Sequence, residues 1–265
     1  MVPMETPIRW RGGVTGGTTG SDRILADEVP VAIVINGTTI AVLLATPEDL
    51  SDFAVGFALT EGLVACRAEA GAVEIVRHPE GVEARLSIAD TAALAARRRT
   101  ITGPSGCGLC GIESLNAVHT RPRAVRAGGP MPTPAEIVAA MAMLGDAQPL
   151  GRATRAVHGA ALWRRGQPLI VREDVGRHNA LDKLVGAVVG DGDLADTAAA
   201  MLLLTSRVSV EMVQKAAVLG APIVVAVSAP TRLAVETAVA AGLTLVAVAR
   251  SDGFEVFAGA DRIAW

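Results

Sequence analysis

The sequence predicts an α/β protein: a mixed, partly parallel sheet flanked by helices, with a smaller α+β portion at the N-terminus. Three observations carry this. From residue 201 onward, MLLLTS, VSVEMVQKAAVLG, IVVAVS, TRLAVETAVAAG and LTLVAVAR alternate as strand and helix, the pattern of a sheet covered by helices. Hydrophobic residues make up 51% of the 265 residues, but aromatics only 3% with no Tyr, so the core is Ala, Val and Leu. Side chains this small suit close helix–sheet packing better than a sandwich. Nearer the N-terminus, two β-branched runs flank Asn36-Gly37, the strongest short hairpin signal.

Taken in order, residues 1–22 are polar and Gly/Thr-rich and read as a flexible arm. Residues 23–102 read as a small α+β domain and connector. Within them VAIVINGTTIAVLLAT predicts the hairpin. Thr46, Pro47 and Asp49 then predict a helix to about Leu63, with Pro at its first position. VEIVRH and VEARLSI predict two more strands. The connector ends in Arg97-Arg98-Arg99, which either meet phosphate or form a solvated face. Residues 103–265 read as the α/β domain, preceded by a cysteine loop. Here Thr133-Pro134-Ala135-Glu136 is a capping box. AALWRRGQPLIVRED predicts two strands about a Gly turn, a helix crosses 179–189, and GFEVFA closes the chain as an edge strand.

Charge narrows the function. There are 24 Lys+Arg against 27 Asp+Glu, a net −3, which argues against nucleic acid or an anionic membrane as partner. The most apolar uncharged stretch, 216–231, contains Pro222 and Pro230 and falls short of the roughly 20 residues a membrane span needs. No signal peptide is visible. Three cysteines, an odd number, do not make a disulfide scaffold. A cytoplasmic, reducing compartment is expected, where paired thiols are catalytic or metal-binding.

The segment GPSGCGLCG (103–111) carries two thiols three residues apart among four glycines. Glycine backbone lets amides approach an anion closely, and a helix N-terminus just beyond would favour thiolate. Cys107 and Cys110 are therefore candidate catalytic residues for sulfur relay through a persulfide. Half of a zinc site and a thioredoxin-like redox pair are the other readings. Cys66, alone in LVACRAEA, reads as a buried small hydrophobe.

The second cluster, 172–183 (REDVGRHNALDK), lies where a strand gives way to a helix, the place α/β proteins hold ligands. Arg172, Arg177 and Lys183 are candidate phosphate ligands, and His178 and Asp174 candidates to polarise a thiol or ligand. An internal salt-bridge network fixing the turn is the alternative. Ser206 in TSRVS and Ser228 in SAPT follow strands and precede helices. They are either anion ligands or ordinary N-caps. If functional, the two turns lie along one edge of the sheet. His158 invites comparison with zinc deaminases, which use His-x-Glu. Ala160 stands where the Glu would be, so deamination is not expected.

GPSGCGLCG, VHGAAL, REDVGRHNALDKLVG, SRVSVEMVQKAAVLGAP and VSAPTRLAVE, in this order, closely resemble the formate dehydrogenase accessory sulfurtransferase family. The resemblance implies a cytidine deaminase-like fold with an added N-terminal portion. It also implies a cytoplasmic sulfur carrier required for formate dehydrogenase activity. Such a carrier takes sulfur from a cysteine desulfurase and passes it to the molybdenum bis(molybdopterin guanine dinucleotide) cofactor before the cofactor enters formate dehydrogenase. No permanent metal is implied. Cys107 matches the persulfide-bearing cysteine and Cys110 its partner. The family's cofactor-binding segment falls on Val248, Ala249, Arg250, Ser251, Asp252 and Gly253. A homodimer is expected, since the cofactor carries two guanine nucleotide arms. A different class of function remains open: a non-catalytic, cofactor-binding chaperone whose cysteines are a metal or redox clip.

Overall fold

The computed structural model describes residues 8–11, 17–20, 23–89, 124–126, 128–190 and 194–265. Within the expected arm, β1 (Ile8–Arg11) pairs antiparallel with β2 (Gly17–Gly20), a ribbon that the Gly/Thr-rich composition does not announce. The predicted hairpin forms as β3 (Val29–Ile35) and β4 (Thr38–Ala45). Asn36 and Gly37 both have positive φ, 49° and 77°, as a tight hairpin turn matching the strand twist requires. Asn36 also clasps the neighbouring strand end, donating to Ile88 O and accepting from Ile88 N. With β5 (Glu74–His78) and β6 (Gly81–Leu86), these strands make a four-stranded sheet of order β4–β3–β6–β5.

The first helix differs from expectation. α1 runs Leu50–Thr60, starting after Pro47 instead of on it. Asp49 is left-handed, with φ 53°, and breaks the helical path. Thr46 is engaged in tertiary bonds: its N–H donates to Asp174 Oδ2 and its Oγ1 accepts from Val175 N. The end of the helix also corrects Cys66. Leu63 and Val64 turn into the core, and Cys66 follows them out to an exposed single helical turn.

The larger sheet has six strands: β7 (His158–Trp163), β8 (Ile170–Asp174), β9 (Met201–Leu204), β10 (Ile223–Ala226), β11 (Thr244–Arg250) and β12 (Gly253–Ala258). Its order is β12–β11–β10–β9–β7–β8. β9, β10 and β11 are parallel, and β7 and β12 are antiparallel to their neighbours. β8, antiparallel to β7, therefore runs with the parallel set. Side chains alternate between its faces with period two. Met201, Leu203, Ile223, Val225 and Val246 pack on α2 (Pro134–Asp146), whose capping box forms as the sequence predicts. Leu202, Leu204, Val224, Ala226 and Leu245 face the other helices: α4 (Arg177–Gly190), α5 (Val210–Leu219) and α6 (Arg232–Ala241). A short helix without a sequence signal, α3 (Pro149–Thr154), precedes β7. The fold is thus the mixed sheet flanked by helices, with the smaller α+β portion, that the sequence predicts.

That second cluster also takes in Ile33, Ile35, Phe53 and Phe57, so the N-terminal portion packs directly on the C-terminal helices. α1 and α4 approach backbone to backbone. A Cβ on Gly56 would lie 1.7 Å from Asp182 O, and one on Gly186 1.9 Å from Asp52 O. No other residue fits there without moving a helix. Gly56→Ala should therefore lower stability by about 1–3 kcal/mol or more, the range for overpacking against a rigid neighbour. Urea unfolding checks this, and an unchanged midpoint would contradict the packing described.

Candidate functional site at the carboxyl edge of the sheet

Because β8, β9, β10 and β11 run together, their carboxyl ends share one edge with the start of β7. Arg177 and His178 follow β8, Ser206 follows β9, Ser228 follows β10, and Arg250 ends β11. The two Ser turns do lie along one edge, tied by a parallel bridge between Val208 and Pro230. From β8 to β11 is four inter-strand steps, about 19 Å.

The charged segment 172–183 divides in two. Arg172 ion-pairs with Asp52 at 2.6 Å and Asp49 at 3.5 Å. Glu173 accepts from the first amides of α3, Leu150 N (3.0 Å) and Gly151 N (2.7 Å). Asp174, fully buried, meets Lys183 Nζ at 2.7 Å and accepts from Thr46 N, Gly176 N and Asn179 Nδ2. Lys183 also donates to Thr46 O. The adjacent Asp182 holds Lys215 of α5, which also donates to Thr60 Oγ1 of α1. Arg172, Asp174 and Lys183, candidates for ligand contact, are thus consumed by the internal network. Arg177 and His178, at the head of α4, remain at the edge.

His178 is buried and its pKa is pushed down to about 3, first by burial and then by the positive charges of Lys215 and Arg177 and by His158. His158, half-buried, is also lowered, by burial and by Arg177, against the opposing pull of Asp174. Both imidazoles are neutral at pH 7. Ser206 is buried, and its hydroxyl donates to Arg207 O. Ser228 is half-buried. Thr205 ties β9 to β7, its Oγ1 accepting from Gly159 N. Thr231 is an ordinary cap, accepting from Ala234 N.

The segment 248–253 turns from β11 into β12, with Arg250 paired to Gly253. Val248 and Gly253 are half-buried, Ala249 is buried, and Arg250, Ser251 and Asp252 are exposed. Val248 has φ 52°, a left-handed conformation that a β-branched residue strongly disfavours, at a register shift between Ala247 and Arg250. Such a bulge at a sheet rim re-aims the residues that follow it.

Segment-by-segment reading missed the pattern of arginines. Each loop on this edge supplies one: Arg155 before β7, Arg177 after β8, Arg207 after β9, Arg232 after β10 and Arg250 at the end of β11. Arg155, Arg207, Arg232 and Arg250 are exposed and make no ion pair among the described residues. Arg155 stands on a left-handed residue, φ 56°, at the mouth of a cavity of about 550 Å³ that includes Thr205 and Gly151. A second cavity, about 570 Å³ and mainly apolar, opens at the opposite edge beside Trp163, Met201 and Ile223. The signal for the arginine row was available, but only once the strand order placed these loops together.

Cys107, Cys110 and the triple Arg 97–99 lie outside the described residues. Among the described residues, no group of three His, Cys, Asp or Glu is placed to hold a metal, and no helix is long and apolar enough to cross a membrane.

The state of His178 has a measurable consequence. Its folded pKa, about 3, lies below the unfolded value of about 6.5, so between those values the unfolded chain binds the extra proton. Stability from this group is full above about pH 6.5 and falls as pH drops toward 3. Imidazole NMR should show His178 neutral at pH 5, and titration near 6.5 would contradict its burial.

A family model described as the FdhD/NarQ family matches residues 26–264. The sulfur carrier protein FdhD of Agrobacterium fabrum is 51% identical over 252 residues, covering 94% of this chain and 92% of that protein. The protein of the same name from Brucella abortus is 48% identical over 250 residues, 93% and 92% of the two chains. A crystal structure described as that of a formate dehydrogenase accessory protein from Desulfotalea psychrophila matches with a TM-score of 0.75 at 28% identity, over 99% of both chains. The fold, the motif order and these likenesses agree along nearly the whole chain, which belongs to the FdhD/NarQ family.

Proposed function

We propose that this chain is a sulfur carrier in formate dehydrogenase maturation. It accepts persulfide sulfur from a cysteine desulfurase on Cys107 and passes it to the molybdenum bis(molybdopterin guanine dinucleotide) cofactor before insertion into the dehydrogenase. The names of its relatives support the sulfur-carrier role. In the structure, the observation that carries the reading is the row of arginines along one sheet edge, of which Arg155, Arg207, Arg232 and Arg250 are exposed. A guanidinium binds phosphate through two parallel hydrogen bonds, and a row about 19 Å long suits a ligand with separated phosphate groups. A two-fold homodimer would present two such edges to the cofactor's two nucleotide arms.

The transfer balances simply. The Cys107 thiolate attacks the outer sulfur of the donor's persulfide. A new S–S bond forms at Cys107, the donor's S–S bond breaks, and the donor cysteine leaves as thiolate. Attack of the Cys110 thiolate on Cys107 Sγ would then form a disulfide and release hydrosulfide, whose sulfur goes to the cofactor.

Two substitutions test this. Cys107→Ala should abolish sulfur loading and dehydrogenase maturation while leaving the fold intact. Mass spectrometry after incubation with desulfurase and cysteine should show one added sulfur atom on the native Cys107 peptide. Its absence, with one zinc per chain instead, would favour a metal clip. Arg250→Ala should weaken binding of guanosine diphosphate by about 1.5–3 kcal/mol, the range for a charge-assisted hydrogen bond, with Cys107 loading unchanged. Unchanged affinity by calorimetry would make Arg250 an ordinary surface residue.

A further inference from the structure

The cavity of about 550 Å³ at the start of β7 is walled mainly by polar groups, and its size falls in the roughly 300–1,000 Å³ range of small-molecule sites. Two of the residues that line it are arginines, Arg152 and Arg155, and none is a carboxylate. Arg155 ends α3 in a left-handed turn, and its guanidinium makes no hydrogen bond or ion pair among the described residues. Arg152 donates Nη1 to Asp146 O at the end of α2, which leaves the rest of its guanidinium unspent. Thr205 Oγ1 accepts from Gly159 N at 2.8 Å, while its own hydrogen has only a long contact, 3.4 Å, to Gly159 O, so it is available to a ligand. The nearest buried carboxylate, Glu173, lies behind Gly151 and is compensated by Leu150 N and Gly151 N. Val157, on the wall, leads into His158. The His158 pKa is lowered first by burial and then by the charges of Arg177 and Arg207, with Asp174 pulling the other way, so two positive charges act there against one negative.

A glycine supplies an independent sign. Gly145 lies in the last turn of α2 and does not have positive φ. A Cβ on it would meet nothing within 4 Å. Neither turn geometry nor a close neighbour calls for glycine here, and glycine weakens a helix relative to Ala. What it leaves is open space on the cavity wall, room that an occupant would use.

We propose that this cavity is a binding site for a phosphoryl group, held by Arg152, Arg155 and the Thr205 hydroxyl. The inference rests on the reading of this edge as phosphate-binding and adds to it one enclosed place, with named donors, apart from the β11–β12 turn. Guanidinium forks match phosphate oxygens, two of them balance a dianion, and a hydroxyl completes the donor set. Because both arginines are exposed, the phosphoryl group keeps part of its hydration. The cavity is larger than a phosphoryl group alone, and its polar walls suit a hydroxylated body attached to it. The ligand class is therefore a phosphomonoester or the terminal phosphate of a nucleotide.

The test titrates inorganic phosphate by calorimetry, at low ionic strength, into the full-length Arg250→Ala chain, so that the β11–β12 turn contributes nothing to the signal. Phosphate should bind. Adding Arg155→Ala should weaken it about tenfold or more, the loss of one charge-assisted hydrogen bond. Adding Arg77→Ala, which removes the same charge from exposed β5, should change nothing. Adding Gly145→Leu should abolish binding while the thermal midpoint stays equal or rises, because Leu fills the cavity and is the better helix former. Guanosine diphosphate, added to the otherwise native chain, distinguishes the sources. If it displaces phosphate and loses affinity in Arg155→Ala, the phosphoryl group is the nucleotide's own; if the two bind together, it belongs to a separate phosphomonoester. Failure of the cavity leaves the nucleotide reading to its own test, the effect of Arg250→Ala on guanosine diphosphate. No phosphate binding, an affinity that Arg155→Ala or Gly145→Leu leaves intact, or one that Arg77→Ala weakens as much would overturn the proposal.

Discussion

A single buried carboxylate, that of Asp174, fixes the geometry on which the candidate site depends. It ends β8 and meets the Lys183 ammonium of α4, and it accepts from the backbone of Gly176 at the turn, from Asn179 Nδ2 and from the backbone of Thr46 in the N-terminal portion. Asn179 reaches on to Leu44 O, and Lys183 to Thr46 O. Strand end, helix head and N-terminal hairpin are thus pinned at one point. Such a pair gives little net stability over well-packed apolar groups, but removing one partner costs about 3–5 kcal/mol because the other charge is left buried. Its role is positional. It sets where α4 begins, and with that where Arg177 and His178 stand. The glycine contact between α1 and α4 works with it, since helices that touch backbone to backbone cannot slide without breaking both arrangements.

The division of labour along the carboxyl edge follows from burial. Several charged groups that the fold encloses are engaged inside it: Asp174 with Lys183, Asp182 with Lys215, and Glu173 with the amides at the head of α3. At the rim, Arg155, Arg207, Arg232 and Arg250 are exposed and make no ion pair among the described residues. Exposed guanidinia suit phosphate, which keeps part of its hydration. The carboxyl edge therefore presents an exposed, positively charged rim over an interior whose charges are compensated.

Much of this architecture was legible in the sequence because its signals are local. Asn36-Gly37 dictated the hairpin, Thr133 and Glu136 the start of α2, Gly220 and Gly242 the ends of α5 and α6, and period-two runs the strands. What escaped depends on partners distant in the chain. Pro47 has every local mark of a helix start, but Thr46 is held by Asp174, 128 residues away, so α1 begins later. Cys66 sits among apolar neighbours, yet only Leu63 and Val64 turn inward. Arg172 and Lys183 carry the same charge as Arg177, and only the tertiary positions of Asp52 and Thr46 tell which are engaged inside the fold. The arginine row is the clearest case: each member is unremarkable in its own loop and acquires meaning from strand order.

The central claim is sidedness: ligand binding belongs to the carboxyl edge and not to the apolar cavity beside Trp163 on the opposite one. The most direct test is a crystal structure of the chain with guanosine diphosphate. The account predicts its phosphates against arginines of the carboxyl edge, with the β11–β12 turn in contact. A nucleotide bound instead beside Trp163 and Met201, with the arginine row untouched, would contradict it.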